Sequence, residues 1–268
     1  MTERHAGGTT DGTERQFVRV ERVDDLAVLR LARGKGNSLS PALVEELLDV
    51  LRTSAVADAH GLLLTGDGRF FSTGLDLVSL EKLDRAGMLL FLDRLQGLLA
   101  QLYVWPRPVV AALNGHAVAG GCLLAMCADW RVLAKGEARV GLTESTLGLP
   151  LPQAGLEITR AQLTPAAWAQ VVYGGQTHVG EQALALGLAD ELAEPDKVID
   201  VALDRLRQWA RNPPVALHFN KAAARDPVLL RIRNQHDSLQ EAWVDLWFSP
   251  PAQQRLAEVR EKLQAKKG

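Results

Sequence analysis

Backbone groups that could bind an oxygen anion are concentrated in residues 114–126. This stretch has glycines at 115, 120 and 121, and it follows a short apolar run, residues 109–113. A strand, a sharp turn and a helix start leave backbone N–H groups without partners. Such groups bind an anion, or an oxygen that becomes anionic during a reaction. Glycine-rich turns also occur for packing alone, so both interpretations stand at this point.

A carboxyl group that could carry a proton lies further along the chain. Residues 141–150 form a predicted loop with one carboxylate, Glu144, among neutral neighbours. A carboxyl does acid–base work near neutral pH when burial raises its pKa. The alternative is a solvated loop carboxylate. Residues 66–77 form another glycine-rich loop after an apolar run, 61–65, and N–H groups could be free there too.

The elements that would position these loops alternate along the chain. Apolar runs predict strands at 17–21, 26–31, 61–65, 109–113 and 129–134. Helical patterns occur at 40–55, 85–103, 121–126, 164–169 and 179–186, and then at 196–211, 214–224, 235–248 and 251–265. Strands alternating with helices, followed by helices alone, predict an α/β fold with a helical C-terminal extension.

Composition excludes several classes of function. The chain has 268 residues, 47% of them apolar, so it can bury a core; its formal charge of −2 and scattered basic residues predict no nucleic-acid partner. The most apolar stretch, 88–105, is interrupted by charges and reads as an amphipathic helix, so no membrane span is expected. Cys122 and Cys127 suit buried apolar filler and a reducing cytoplasm. Residues 1–15 are expected to form a disordered tail.

Three segments together resemble the crotonase superfamily of enoyl-CoA hydratases and isomerases. They are Phe-Ser-Thr-Gly-Leu-Asp-Leu at 71–77, Asn-Gly-His-Ala-Val-Ala-Gly-Gly-Cys-Leu at 114–123 and Gly-Leu-Thr-Glu-Ser-Thr-Leu-Gly at 141–148. The resemblance implies a spiral of ββα units over residues 16–195. It also implies a helical region, 196–268, that assembles a homotrimer or a dimer of trimers. It further implies an acyl-CoA substrate and an oxyanion hole formed by the backbone N–H groups of Leu75 and Gly120.

Within that family the segments are most like those of the mitochondrial-type Δ3,Δ2-enoyl-CoA isomerases. Hydratases of the family typically hold water with two glutamates, and here the first of those positions is Leu123 while the second is Glu144. A single carboxylate suits moving a proton from C2 to C4 of a 3-enoyl-CoA through a dienolate, with no metal or redox cofactor. The alternatives are hydration with a second acid from elsewhere, and a catalytically silent acyl-CoA binder.

The resemblance also implies residues that contact the substrate and its CoA. They are Ser72, Thr73, Gly74, Asp76, Leu77, Lys35, Leu147 and Leu149. Asp76 could instead tie its loop, and Arg33 and Lys221 are further candidates for the CoA phosphates. Glu81 and Glu157 are expected at the surface, although either could reach the pocket. His116 is expected to be a packing or loop residue.

Overall fold

The strands of the chain form two β-sheets. The structure is a computed structural model, and it describes residues 15–34, 36–234 and 236–265. The expected tail, residues 1–15, lies outside these ranges except for Arg15, and Lys35 also lies outside them. In chain order the strands are β1 Val18–Val23, β2 Leu26–Leu31, β3 Gly61–Gly66, β4 Phe70–Ser72, β5 Val109–Leu113, β6 His116–Val118, β7 Trp130–Ala134, β8 Arg139–Gly141, β9 Thr177–Val179 and β10 Glu191–Ala193.

Helices fill the chain between and after these strands. They are α1 Pro41–Val50, α2 Ser54–Ala57, α3 Leu77–Leu80, α4 Arg85–Tyr103, α5 Gly120–Met126, α6 Gln153–Gln162, α7 Pro165–Gly174, α8 Gly180–Ala185, α9 Val198–Ala210, α10 Pro214–Asn234, α11 His236–Trp247 and α12 Pro250–Ala265. A short 3₁₀ helix, Glu144–Leu147, precedes α6. None of the helices in the described ranges is both long and apolar enough to cross a membrane.

The sheet topology confirms the expected α/β fold. The six-stranded sheet has the order β1-β2-β3-β5-β7-β10, and the four-stranded sheet has the order β4-β6-β8-β9. The chain places β3, β5 and β7 in the first sheet, each followed by a short strand of the second sheet and then by helix. These repeated ββα units form the spiral. The expected boundary near residue 195 falls between β10 and α9, and α9 packs against β3, β5 and β7.

Local signals in the sequence explain several of these elements. The first two predicted strands form a hairpin, in which β1 pairs antiparallel with β2 around a turn where Asp24 has φ +55°. Helix α1 begins as expected, since the Ser40 hydroxyl accepts a hydrogen bond from the Leu43 N–H at 3.2 Å. Strand β3 is buried along its whole length, which is why it reads as a continuous apolar run.

Other elements escape the sequence patterns. Helix α6 was not predicted, because its buried side contains Gly155, Glu157 and Thr159 rather than a regular apolar stripe. Strands β4, β6, β8, β9 and β10 have three residues each, too few for a periodic signal. Helix α10 runs past the predicted end at 224 and through Pro227. Burial of Val228 and Ile232, each 3% exposed, favours its continuation.

Candidate active site

The turns that follow β4, β6 and β8 meet at one place. These strands are neighbours in the four-stranded sheet, where β4 pairs in parallel with β6 and β6 pairs in parallel with β8. The ends of parallel neighbours lie at the same edge of a sheet. The fold therefore brings together the segments that begin after Ser72, Val118 and Gly141, each of which forms the later part of one of the three motifs singled out in the sequence.

The backbone N–H of Leu75 is left free by an isolated parallel bridge. Leu39 donates its N–H to the Gly74 carbonyl at 2.8 Å and accepts a hydrogen bond from the Asp76 N–H at 3.0 Å. The bridge therefore uses the groups on either side of Leu75. No hydrogen bond from the Leu75 N–H to another described residue is present.

The backbone N–H of Gly120 lies at the start of α5. The first N–H groups of a helix have no acceptor within that helix. Ala119, immediately before it, has φ +52° and ψ −125°, an unusual conformation for a residue with a side chain. The Ala119 N–H donates to the Gly141 carbonyl at 2.9 Å, which ties the start of α5 to the end of β8. The unusual conformation of Ala119 thus sets the direction of the α5 N-terminus, and its hydrogen bond to Gly141 holds that N-terminus in place.

Close packing of two glycines brings these two turns against each other. A Cβ added to Gly74, where φ is +86°, would lie 2.8 Å from the Val118 carbonyl oxygen and 3.0 Å from the Gly120 nitrogen. A Cβ added to Gly121 would lie 2.3 Å from the Ser72 carbonyl oxygen. Both positions therefore require glycine, and the turns that contain Leu75 and Gly120 are in direct contact.

Glu144 begins the 3₁₀ helix and is buried, with 9% of its surface exposed. Its Oε2 atom has no hydrogen-bond partner among the described residues. Burial raises the pKa of this carboxyl to about 7, and the backbone N–H groups of Glu144 and Thr143 oppose only part of the rise. Its charge also acts to raise the pKa of the buried Cys122 thiol in α5, so the carboxyl lies close enough to that helix to interact with it electrostatically.

Glu157 and Glu81 are both held in ion pairs. The expectation that Glu157 lies at the surface is wrong, since it is 2% exposed and binds Arg160 at 3.0 Å and Arg231 at 2.7 Å. It became buried because α6, which the sequence did not reveal, packs inward. Glu81 is exposed as expected and pairs with Arg260. Neither side chain is therefore free to act as a second proton carrier.

Leu123 occupies the position where hydratases of the resembled family have their first glutamate. It is 2% exposed and packs against α6, where a Cβ added to Gly155 would lie 2.8 Å from a Leu123 methyl group. An apolar side chain in close contact with the neighbouring helix can neither carry a proton nor orient a water molecule.

Several candidate contact residues stabilise the loop after β4. The Ser72 hydroxyl donates to the Asn37 carbonyl at 2.8 Å, and the Thr73 hydroxyl donates to the Gly36 carbonyl at 3.1 Å. Asp76 binds the Arg33 guanidinium at 2.6 Å and also accepts from the Ser79 hydroxyl.

The environment of Asp76 favours its charged form. Burial acts to raise the pKa of Asp76, but the hydrogen bonds from Ser79 and Arg33 outweigh it and hold the pKa below its ordinary value. The alternative role of Asp76, tying its loop, is confirmed. Of the other candidates, Leu77 begins α3, Leu147 is half-buried at the end of the 3₁₀ helix, and Leu149 is buried.

Lys221 is not near these loops. Its amine binds the Asp129 carboxylate at 2.7 Å and the Arg107 carbonyl at 3.0 Å. Asp129 immediately precedes β7, whereas the candidate site lies beyond the opposite ends of the strands. Burial lowers the pKa of Lys221 to about 8, although Asp129 opposes this. Lys221 is therefore an internal ion-pair partner; these contacts do not support the suggestion that it contacts CoA, which stays a prediction.

Two asparagines organise the loops, and sequence reasoning missed them. Asn37 is fully buried with φ +47°, and its side-chain amide donates to the carbonyls of Asp67 and Phe70 at 3.1 and 2.9 Å. The Asn114 side-chain oxygen accepts from the Gly66 N–H at 3.0 Å. Each asparagine adjoins a glycine in the sequence, a signal for special backbone geometry.

His116 is a packing residue, as expected. Its Nδ1 atom accepts a hydrogen bond from the Arg139 N–H at 3.1 Å, and its ring lies 5.3 Å from the Phe70 ring. Burial lowers the pKa of His116, and the nearby positive charges of Arg139 and Arg69 lower it further.

Comparison with known proteins points to one family and to more than one activity within it. The family model described as enoyl-CoA hydratase/isomerase matches residues 21–263. The 2,3-dehydroadipyl-CoA hydratase of Escherichia coli strain K12 is 32% identical over 209 residues, which cover 77% of this chain and 80% of that protein. Human mitochondrial enoyl-CoA delta isomerase 1 is 29% identical over 274 residues, which cover 100% of this chain and 91% of that protein.

A solved structure extends the similarity to three dimensions. The crystal structure of human mitochondrial delta3-delta2-enoyl-CoA isomerase matches with a TM-score of 0.85 at 29% identity, covering 94% of this chain and 100% of that one. The chain is thus similar over most of its length to proteins with isomerase names and with hydratase names. Overall similarity does not separate the two activities, so the residues of the site must do so.

Proposed function

Because the chain belongs to the enoyl-CoA hydratase/isomerase family, we propose that it is a Δ3,Δ2-enoyl-CoA isomerase. The observation that carries this proposal is the buried carboxyl of Glu144, whose Oε2 atom has no hydrogen-bond partner among the described residues and whose pKa is raised to about 7. No second free carboxyl accompanies it among the described residues, since Leu123 replaces one acid and Glu157 is held by arginines.

The proposed reaction moves one proton and needs no metal or redox cofactor. Glu144 takes a proton from C2 of a 3-enoyl-CoA, and the electrons of that C–H bond form a dienolate with its negative charge on the thioester oxygen. The N–H groups of Leu75 and Gly120 hold that oxygen. The protonated Glu144 then returns the proton to C4, and a conjugated trans-2-enoyl-CoA results.

The energy supplied by the two oxyanion donors and the pKa of Glu144 both suit proton transfer at a carbon atom. Each donor aimed at the developing oxyanion contributes about 3–4 kcal/mol to lowering the barrier. A carboxyl with a pKa near neutrality is ionised often enough to take a proton and acidic enough to return it. Excluding water from the site also stops the dienolate from taking a proton from the solvent, and this favours return of the proton from Glu144 to C4.

Contacts with the substrate complete the proposal. The loop containing Ser72, Thr73, Gly74, Asp76 and Leu77 borders the CoA through backbone groups. The predicted contact of Lys35 with the CoA phosphates lies outside the described residues and stays a prediction. Leu147 and Leu149 line the acyl pocket after Glu144. Assembly as a homotrimer or dimer of trimers and a cytoplasmic location stay predictions, which light scattering and cell fractionation would check.

Hydration is the second candidate, because a hydratase of Escherichia coli is among the relatives at 32% identity. It would need a second group to orient water. The two reactions have opposite effects on thioester conjugation, since isomerisation creates the conjugated product and hydration consumes a conjugated substrate.

An absorbance assay at the thioester-conjugation band tests the proposal. We expect rising absorbance with 3-hexenoyl-CoA and no change with crotonyl-CoA. Falling absorbance with crotonyl-CoA would instead establish hydration. No change with either substrate would contradict both and favour another acyl-CoA or a silent binder.

A further inference from the structure

The backbone carbonyl of Glu144 is hydrogen-bonded to the chain that follows the 3₁₀ helix. Glu144 accepts a hydrogen bond at its backbone carbonyl from the Leu149 N–H at 3.1 Å. Gly148, with φ +71°, ends the 3₁₀ helix and lets the chain double back. The position of the Glu144 backbone therefore depends on where the segment 148–152 is held.

Helix α11 holds that segment with the indole of Trp243. The Trp243 Nε1–H donates to the Pro150 carbonyl at 2.8 Å. The side chain is 3% exposed, and its ring stacks on Trp247 with centroids 5.5 Å apart and planes 18° apart. A buried, stacked indole has few alternative rotamers, so this hydrogen bond is a rigid one.

Helix α11 is also held by hydrogen bonds of Gln240. The Gln240 amide donates to the Leu89 carbonyl at 2.8 Å and accepts from Gln96 at 3.1 Å. The buried Gln96 side chain in turn accepts from the Ala154 N–H at 3.1 Å, at the start of α6. The framework that carries Trp243 is thus tied to both α4 and α6, and the segment between the Glu144 turn and α6 has little freedom.

We propose that Trp243 is a positioning residue for Glu144, acting through the hydrogen bond from its indole N–H to the Pro150 carbonyl. This inference rests on the proposed isomerase function. Trp243 holds the turn so that the Glu144 carboxyl stays buried and aimed at the substrate. Small misplacements of an acid–base group reduce rates strongly, by as much as about 100-fold for 1 Å.

A pair of tryptophan variants tests this assignment. Trp243→Phe keeps an apolar ring and removes the N–H. Trp247→Phe is the matched control, because Trp247 lies on the same helix, is also 3% exposed, donates no hydrogen bond from its indole to a described residue, and as phenylalanine keeps an aromatic ring to stack on Trp243. With 3-hexenoyl-CoA, we expect kcat to fall about tenfold in Trp243→Phe with KM within about twofold, and both constants within about twofold of wild type in Trp247→Phe.

A second readout does not depend on activity. The carboxyl carbons of ¹³C-labelled glutamates are titrated by NMR, and the Glu144 signal is the one absent from Glu144→Gln. We expect a pKa of about 7 in wild type and in Trp247→Phe. We expect it to be about one unit lower in Trp243→Phe, because a loosened turn admits water to the carboxyl.

The possible outcomes are distinct. An unchanged kcat and Glu144 pKa in Trp243→Phe would overturn the assignment, and so would equal changes in both tryptophan variants. If wild type lacks isomerase activity, the proposed function fails, and the NMR titration alone decides the role of Trp243. If Trp243→Phe does not fold, the benzothienyl analogue of tryptophan at position 243, which replaces the N–H by sulfur, gives the same test.

Discussion

Glu144 and Glu157 are both buried glutamates, yet their surroundings differ completely. Glu144 lies in a 3₁₀ turn with one carboxyl oxygen unpartnered, and burial raises its pKa to about 7. Glu157 lies in α6 with one oxygen on Arg160 and the other on Arg231. Burial alone therefore does not produce a proton carrier. Among the described residues no cation is paired with the Glu144 carboxyl, and this leaves its proton exchangeable near neutral pH.

Asp129 is a third carboxylate, and like Glu157 it is held by two positively charged side chains. Asp129 accepts hydrogen bonds from the Val109 N–H and from Lys221, each at 2.7 Å, and pairs with Arg225 at 2.8 Å. Arg225 also donates to backbone carbonyls at Tyr103 and Cys127. Asp129 and Glu157 thus join elements of the fold, whereas Glu144 lies where the three loops meet.

The largest expected effect comes from removing the unpaired carboxyl. Glu144→Gln keeps the size of the side chain but cannot take a proton, so kcat for isomerisation should fall by about 10²–10⁴. Steady-state kinetics with 3-hexenoyl-CoA measure it. Activity that survives intact in this variant would remove the distinction between the two glutamates.

The next effect concerns the pH dependence of stability. The folded protein binds a proton at Glu144 up to about pH 7, whereas the ordinary pKa is 4.5. The native state therefore holds more protons in this window, and the free energy of unfolding falls as pH rises through it, by about 3 kcal/mol at most. Glu144→Gln should lose this decline. Denaturant titrations at pH 5 and pH 8 measure it.

The control for that experiment is Glu157→Gln, which should keep the wild-type pH trend. An identical trend in wild type and Glu144→Gln would show that the Glu144 carboxyl is not perturbed in the folded state.

The smallest effect is expected from the paired carboxylate itself. Glu157→Gln leaves two arginines that are roughly half exposed, so they can turn to solvent. The free energy of unfolding should fall by about 1–2 kcal/mol. The kcat should stay within about threefold of wild type, because this side chain carries no proton in the reaction. A loss of kcat as large as that of Glu144→Gln would make Glu157 a second catalytic acid.

Part of this architecture can be predicted from sequence, because the signals are local. Ser40 followed by proline marks the start of α1, and the apolar run of β3 marks a strand buried on both faces. The glycines at 74 and 121 mark turns that approach other backbone closely. The role expected for Glu144, within the third motif, follows from family resemblance.

The contrast between the two glutamates could not be predicted. The burial of Glu157 depends on α6, and its partner Arg231 comes from α10, which continues through Pro227 against the local signal. The apolar side chains of α11 also differ in burial. Trp243 and Trp247 pack inside the chain, while Leu239 and Leu246 are 41% and 43% exposed. Long-range packing decides these cases, and no local pattern carries that information.

The most direct test of the single-glutamate account follows the proton itself. In a single turnover with excess enzyme in ordinary water, 3-hexenoyl-CoA carrying two deuterium atoms at C2 is converted, and the product is analysed by mass spectrometry. A buried carboxyl that carries the proton alone predicts deuterium at C4 of trans-2-hexenoyl-CoA. A product whose C4 contains hydrogen from water only would contradict transfer by Glu144 alone.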